Sequence, residues 1–159
     1  MEFIVLLGAP LLGAVTLGPF GHRRRAPEIN IAFSLATFLA ACALTFRVIN
    51  EGNLLAASEQ FFIDAFNVFL VTLTAFVGLT TSLFSRPYMR IEMEHGRVSA
   101  SQLRLYHSMY QLFMTTMLVA LTTNNLGLMW VAMEAATLSP VLLVTLYRTP
   151  SSLAGGWKY

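Results

Sequence analysis

Residues 108–147 read SMYQLFMTTMLVALTTNNLGLMWVAMEAATLSPVLLVTLY, a stretch of 40 residues with one charged side chain, Glu134. As a single helix it would be about 60 Å long at about 1.5 Å per residue, twice the thickness of a bilayer core. It must therefore turn once. The only cluster of poor helix formers lies at residues 122–125, where two asparagines tolerate turn conformations. The stretch predicts two membrane spans, at about residues 106–122 and 126–147.

Apolar segments elsewhere in the chain predict further spans. Uncharged stretches occupy about residues 3–20, 29–46 and 66–84, and each approaches the roughly 20 residues that cross a bilayer. Trp157, Lys158 and Tyr159 resemble the first turn of a sixth span. The whole chain is 56% hydrophobic and 11% charged, against about 25% charged in soluble domains. The predicted fold is an all-α, polytopic transmembrane helix bundle, one domain over residues 1–159, and we expect a fragment of a longer subunit.

Positive charge is concentrated in alternate loops. Arginines lie at residues 23–25 between spans one and two, at residues 86–104 between spans three and four, and at Arg148 after span five. The remaining loops hold Glu51, Glu59 and Asp64 or no charge. Because lysine and arginine mark cytoplasmic loops, we predict a multi-pass protein of the inner (plasma) membrane, with its N-terminus outside and the C-terminal end of this chain in the cytoplasm. Residues 85–107 predict the longest water-exposed segment, with a short interfacial helix at about residues 99–106.

Glu134 is the main candidate functional residue. It lies eight residues into span five, about 12 Å along the helix axis, and helical spacing places Gly127, Trp130, Thr137 and Val141 on its face. A charge at this depth costs on the order of 2.5–3.5 kcal/mol and commonly marks an ion or proton pathway. The alternative is a protonated glutamic acid that bonds to a neighbouring helix and transports nothing.

Two further residues are weaker candidates for a proton pathway. Lys158 either enters the membrane on span six and exchanges charge with a carboxylate, or is an interfacial lysine whose ammonium group reaches water. His107, at the predicted cytoplasmic entrance of span four, either passes protons or anchors the helix at the interface.

The sequence contains no recognisable cofactor motif. Glu92, Glu94 and His95 lack the spacing of a known metal site, and Cys42 stands alone in an apolar segment. There is no glycine-rich phosphate loop and no cysteine cluster. We therefore expect no cofactor, no metal and no nucleic-acid partner, and no active site of the chain's own.

Three stretches between about residues 61 and 159 carry a family resemblance. The most specific is NNLGLMWVAMEAATL at residues 124–138. The other two are FIDAF at residues 62–66, leading to SRPYM at residues 85–89, and the segment from Tyr147 through SSL at residues 151–153 to WKY at residues 157–159. Together they resemble the antiporter-like membrane subunits of complex I and of its hydrogenase relatives, most closely the hydrogenase-4 component F type. The chain 5 type of NADH:quinone oxidoreductase ranks second.

The resemblance implies a proton-pumping module that depends on partner subunits. Glu134 would match the mid-membrane glutamate that pairs with a lysine on a later, broken helix of the family. Lys158 would match a lysine at the start of span six, and Asp64 an aspartate with a structural role. Redox chemistry would occur in other membrane and peripheral subunits. The alternatives are a structural anchor or assembly element without transport, or a subunit of a cation/proton antiporter or a bicarbonate-uptake complex.

Overall fold

The computed structural model describes residues 1–158, which form six α-helices and one short β-hairpin. The elements in chain order are α1 (Glu2–Phe20), α2 (Ala26–Glu51), β1 (Leu54–Ala56), β2 (Phe61–Ile63), α3 (Ala65–Glu94), α4 (Ala100–Thr122), α5 (Leu126–Val144), a 3₁₀ turn (Thr145–Tyr147) and α6 (Pro150–Lys158).

The first five helices run up and down, so the bundle has two distinct ends. At the end that we call the basic end, Arg86 and Arg90 of α3 bind Glu28 of α2 at 2.9 and 2.5 Å. The opposite end, the hairpin end, carries the two strands. There Arg47 of α2 lies 3.4 Å from Glu2 of α1. Connections of a few residues between most of the long helices account for this antiparallel arrangement.

Helix α4 is the inner helix of the bundle. It packs against α1, α2, α3 and α5, and none of its residues after Ser101 is exposed. Four stretches, α1, α2, α3 and α5 with its 3₁₀ turn, are long and apolar enough to cross a membrane. The polar side chains of α4 exclude it from that group. Because the neighbouring helices cover most of its surface, α4 needs a less apolar exterior than the others. The chain is an integral membrane protein, and four of its described helical stretches meet the length and hydropathy that a membrane crossing requires.

The interior of the bundle is divided into an apolar half and a polar half. The apolar half lies towards the hairpin end, where the buried faces of α2, α3 and α4 meet at residues such as Leu44, Val71 and Leu118. Towards the basic end the buried faces of α2 and α4 instead carry polar side chains. These are Asn30, Ser34, Thr37, His107, Gln111 and Thr115.

The predicted all-α fold omitted the hairpin. Strands β1 and β2 pair antiparallel, and the connection between them holds Ala57, Ser58 and Glu59 at φ values of 50–68°. These left-handed residues are not glycine, and each strand has three residues, so neither strand periodicity nor a glycine turn marks the hairpin in the sequence. Its loop binds the α4–α5 turn, where the Asn124 backbone N–H donates to the Gln60 carbonyl at 2.7 Å.

The predicted loop at residues 85–107 is also mostly helical. Helix α3 continues to Glu94, and its 30 residues extend about 45 Å, beyond the thickness of a bilayer core. Helix α4 begins at Ala100, because Ser99 and Gln102 form a capping box there. It then continues without a break to Thr122, so the predicted interfacial helix and span four are one helix. The helix expected near residue 157 begins at Pro150. Tyr159 lies outside the described residues.

The close approach of α1 and α4 at the basic end predicts a sensitive glycine. A Cβ added at Gly21 would lie 2.9 Å from the Arg104 Cα and closer still to the Leu17 carbonyl oxygen, and neither backbone atom can rotate away. We expect Gly21→Ala to reduce the free energy of unfolding by about 1–3 kcal/mol, the usual cost of overpacking. Thermal unfolding in detergent micelles measures this change. Gly8→Ala is the matched control, because nothing lies within 4 Å of its added Cβ. Equal stability of both variants would contradict the close packing.

Candidate functional site

The start of α5 is fixed by Asn125 and by the hairpin. The Asn125 Oδ1 atom accepts the backbone N–H groups of Gly127 and Leu128 at 2.9 and 3.1 Å, which caps the helix. Its Nδ2 group donates to the Gln60 Oε1 atom in the hairpin at 3.0 Å. The turn therefore lies where the two asparagines predict it, and the strands hold it in place.

Glu134 lies on the outward face of α5. The buried residues of this helix are Ala132, Ala136 and Ser139, and they pack towards α4. Glu134 is exposed on the opposite side together with Trp130, which is 65% exposed, and Leu138, which is 62% exposed. An ionisable side chain thus sits about 12 Å along an otherwise apolar helix face.

The Glu134 carboxyl makes no hydrogen bond or ion pair with any other residue between 1 and 158. The Thr137 hydroxyl donates to the backbone carbonyl of Glu134 at 2.8 Å, so this bond leaves the Glu134 carboxyl free. A carboxyl group that faces lipid without a partner is costly, whereas such groups normally face other helices or a hydrated cavity. The face around Glu134 therefore has the properties of a surface that other helices cover.

The structure does not bring the other two candidates to Glu134. Lys158 is exposed at the end of α6, which packs against the 3₁₀ turn after α5. His107 is 1% exposed and lies inside the bundle, so the expectation of an interfacial anchor does not describe it. Within residues 1–158 the three candidates form no common cluster.

The polar half of the interior contains residues that sequence reasoning missed. The Gln111 Nε2 group lies 2.8 Å from Asn30 Oδ1, 3.1 Å from the Asn30 carbonyl and 3.1 Å from Ser34 Oγ. Gly13 of α1 leaves room for the Gln111 side chain, since an added Cβ would lie 3.1 Å from its Cγ atom. The available signal was the four-residue spacing of Asn30 and Ser34 on α2 and of His107 and Gln111 on α4.

Comparisons with known proteins agree with the resemblance in the sequence. The chain is 41% identical over 150 residues to a hydrogenase-4 component F homolog of Methylacidiphilum infernorum (isolate V4), an alignment that covers 94% of this chain and 30% of that protein. It is 29% identical over 88 residues to NADH-quinone oxidoreductase subunit L of Buchnera aphidicola subsp. Baizongia pistaciae (strain Bp), which covers 55% of this chain and 13% of that protein. No family model matches the chain.

The similarity to hydrogenase-4 component F and to the complex I subunit is thereby confirmed. The chain spans about a third of the length of the first relative and a smaller share of the second. Both names describe parts of larger assemblies. Any function of those assemblies is a proposal for this chain.

Proposed function

We propose that this chain is part of a proton-translocating, antiporter-like membrane subunit in a hydrogenase-4 or NADH:quinone oxidoreductase type complex. The observation that carries the proposal is Glu134, an ionisable group midway along the apolar outer face of α5. The two named relatives support the type of complex. Redox chemistry belongs to partner subunits, and this chain contributes a carboxyl group to the proton path.

The outward position of Glu134 suggests how that carboxyl works. Further helices of the complete subunit would cover the face that carries Trp130, Glu134 and Leu138. Once covered, a carboxyl is favoured in its neutral form unless a cation lies close by. A lysine on a covering helix would supply that cation, and the carboxyl would bind and release a proton as the pair forms and breaks. Lys158 and His107 would contribute separate steps, since neither contacts Glu134 here.

A purely structural membrane anchor is the competing function. One observation favours it: the carboxyl of Glu134 has no partner within residues 1–158. A single hydrogen bond to a covering helix would be enough to satisfy this group without any proton transfer. The two functions differ in what they require of residue 134. A proton carrier needs a group that titrates, whereas an anchor needs only a group that forms hydrogen bonds. Proton uptake by membrane vesicles, with and without a carboxyl at this position, separates them.

The proposal includes five membrane crossings, with α4 as the inner one, in the inner membrane. The arginines of the basic end would face the cytoplasm, and the N-terminus and the hairpin would lie outside. Helix α4 would cross between α5 on one side and α1, α2 and α3 on the other, which accounts for its lower hydropathy.

The orientation can be tested with fusions at the two ends of the bundle. Asn53 lies at the hairpin end, between α2 and β1, and Gly96 lies at the basic end, between α3 and α4. We expect a phosphatase reporter that is active only outside the cytoplasm to be active after Asn53 and inactive after Gly96. A reporter that is active only in the cytoplasm is the control and should show the opposite pattern. Phosphatase activity after Gly96 alone would reverse the orientation.

A further inference from the structure

The polar half of the interior contains hydrogen-bonding atoms that no described residue satisfies. These atoms are the Asn30 Nδ2, the Gln111 Oε1 and both ring nitrogens of His107. Asn30, His107 and Gln111 are each at most 1% exposed. Any group that reaches them must enter the bundle, so further helices packed on its outer surface do not satisfy them.

The identities of the unsatisfied amide atoms follow from their neighbours. The Gln111 atom that lies 3.1 Å from the Asn30 main-chain carbonyl must be the nitrogen, because that carbonyl can only accept. The Asn30 side-chain atom that lies 2.8 Å from this nitrogen must then be the oxygen. A flip of either amide would place two acceptors or two donors together. The unsatisfied pair is therefore one donor, Asn30 Nδ2, and one acceptor, Gln111 Oε1.

This mixture of donors and acceptors determines which kind of ligand could satisfy all of them. A neutral imidazole adds one donor and one acceptor at His107. A metal cation would satisfy only the acceptors, and an anion would satisfy only the donors. Water both donates and accepts, and buried waters typically bind about three otherwise unsatisfied polar groups.

The basic end is where water would enter. A cavity of about 440 Å³ opens there and is lined by Pro27 of α2 and Leu103 of α4, among others. Leu103 precedes His107 by one helical turn on the same face of α4, and Pro27 precedes Asn30 by three residues on α2. In the other direction the buried faces become mostly apolar from Ala41 and Leu118. The buried Thr122 beyond them donates its hydroxyl to the Leu118 carbonyl, so it leaves no unsatisfied group there.

We propose that Asn30, His107 and Gln111 form a buried water-binding site between α2 and α4 that fills from the basic end. Leu103 lines the cavity one helical turn before His107 on α4, so water would pass its side chain to reach the site. The site gives His107, its titratable group, contact with water deep inside the bundle. The inference rests on packing and hydrogen bonding alone, so it stands whether or not Glu134 carries protons.

Cysteine accessibility in the complete, membrane-embedded subunit tests this site. With Cys42→Ala as background, Ser34→Cys places a thiol in the polar half. Ala41→Cys places one in the apolar half, about two turns further along the same helix, α2. The probe is a small, membrane-impermeant methanethiosulfonate reagent, which reacts with thiolate. Because thiolate forms poorly in apolar surroundings, we expect Ser34→Cys to react at least about tenfold faster than Ala41→Cys. Arg24→Cys, exposed at the basic end, identifies the side of the vesicle from which the reagent must act.

The labelling rates distinguish a water-filled site from a dry one. Reaction of Ser34→Cys from the side that labels Arg24→Cys, faster still with Leu103→Ala, supports the water site. Equal rates for Ser34→Cys and Ala41→Cys, or reaction from the opposite side only, would overturn it. A native gel verifies assembly of each variant. If Ser34→Cys fails to assemble, Thr37→Cys, 1% exposed and one turn further along α2, replaces it with the same expected result.

Discussion

In vesicles that carry the complete assembly, the Glu134→Gln variant is expected to insert and assemble normally, to retain redox activity in the partner subunits and to lose proton translocation. Glutamine has nearly the same size as glutamic acid and still forms hydrogen bonds, but it does not titrate. Any packing role on the outer face of α5 therefore survives the change, and the proton-carrying role does not. Proton uptake by the vesicles measures the loss, and a native gel measures assembly.

Two further variants sharpen this result. Glu134→Asp keeps the carboxyl about one methylene short of its partner, so partial translocation is expected. Glu59→Gln is the matched control, because Glu59 is exposed in the hairpin loop and its carboxyl makes no ion pair within residues 1–158. It should translocate protons normally. Full translocation by an assembled Glu134→Gln variant would leave Glu134 as a structural hydrogen-bonding residue.

The sequence predicted the features of the fold that depend on local chemistry. The pair Asn124 and Asn125 marked the turn, because asparagine caps a helix and tolerates turns, and the structure ends α4 at Thr122 and begins α5 at Leu126. The depth of Glu134 along α5 followed from helical rise alone. Likewise, every arginine except Arg47 lies at the basic end, because consecutive antiparallel helices return to the same side at every second connection.

The features that the sequence did not predict depend on which helix neighbours which. The outward direction of Glu134 follows from α5 packing on α4 through Ala132, Ala136 and Ser139, and such small residues occur on many faces of apolar helices. The polar half of the interior was hidden for the same reason. Asn30 and Gln111 stand 81 positions apart, and only tertiary packing shows that they meet. The hairpin depends on backbone bonds to the distant α4–α5 turn, which local propensity does not encode.

Replacing Gln111 with methionine is expected to destabilise the bundle clearly. Methionine matches the length of glutamine, so packing against Gly13 is retained, but the bonds to Asn30 and Ser34 are lost. Hydrogen bonds between membrane helices contribute about 0.6 kcal/mol on average and about 1.7 kcal/mol at most. Because one amide group here serves three acceptors in a buried site, we expect a loss near the upper value. Thermal unfolding in detergent micelles measures it.

The double variant Asn30→Leu/Gln111→Met should be less destabilised than the sum of its two single changes. Each single change leaves the other polar side chain buried without its partner, whereas removing both leaves neither, and such paired replacements can be nearly neutral. We expect a coupling of about 1 kcal/mol from the double-mutant cycle, within the range for residues in contact. Asn53→Leu is the control for the asparagine change, since Asn53 is exposed between α2 and β1 and should alter stability little. Strict additivity of the two changes would show that the amide pair does not join α2 to α4.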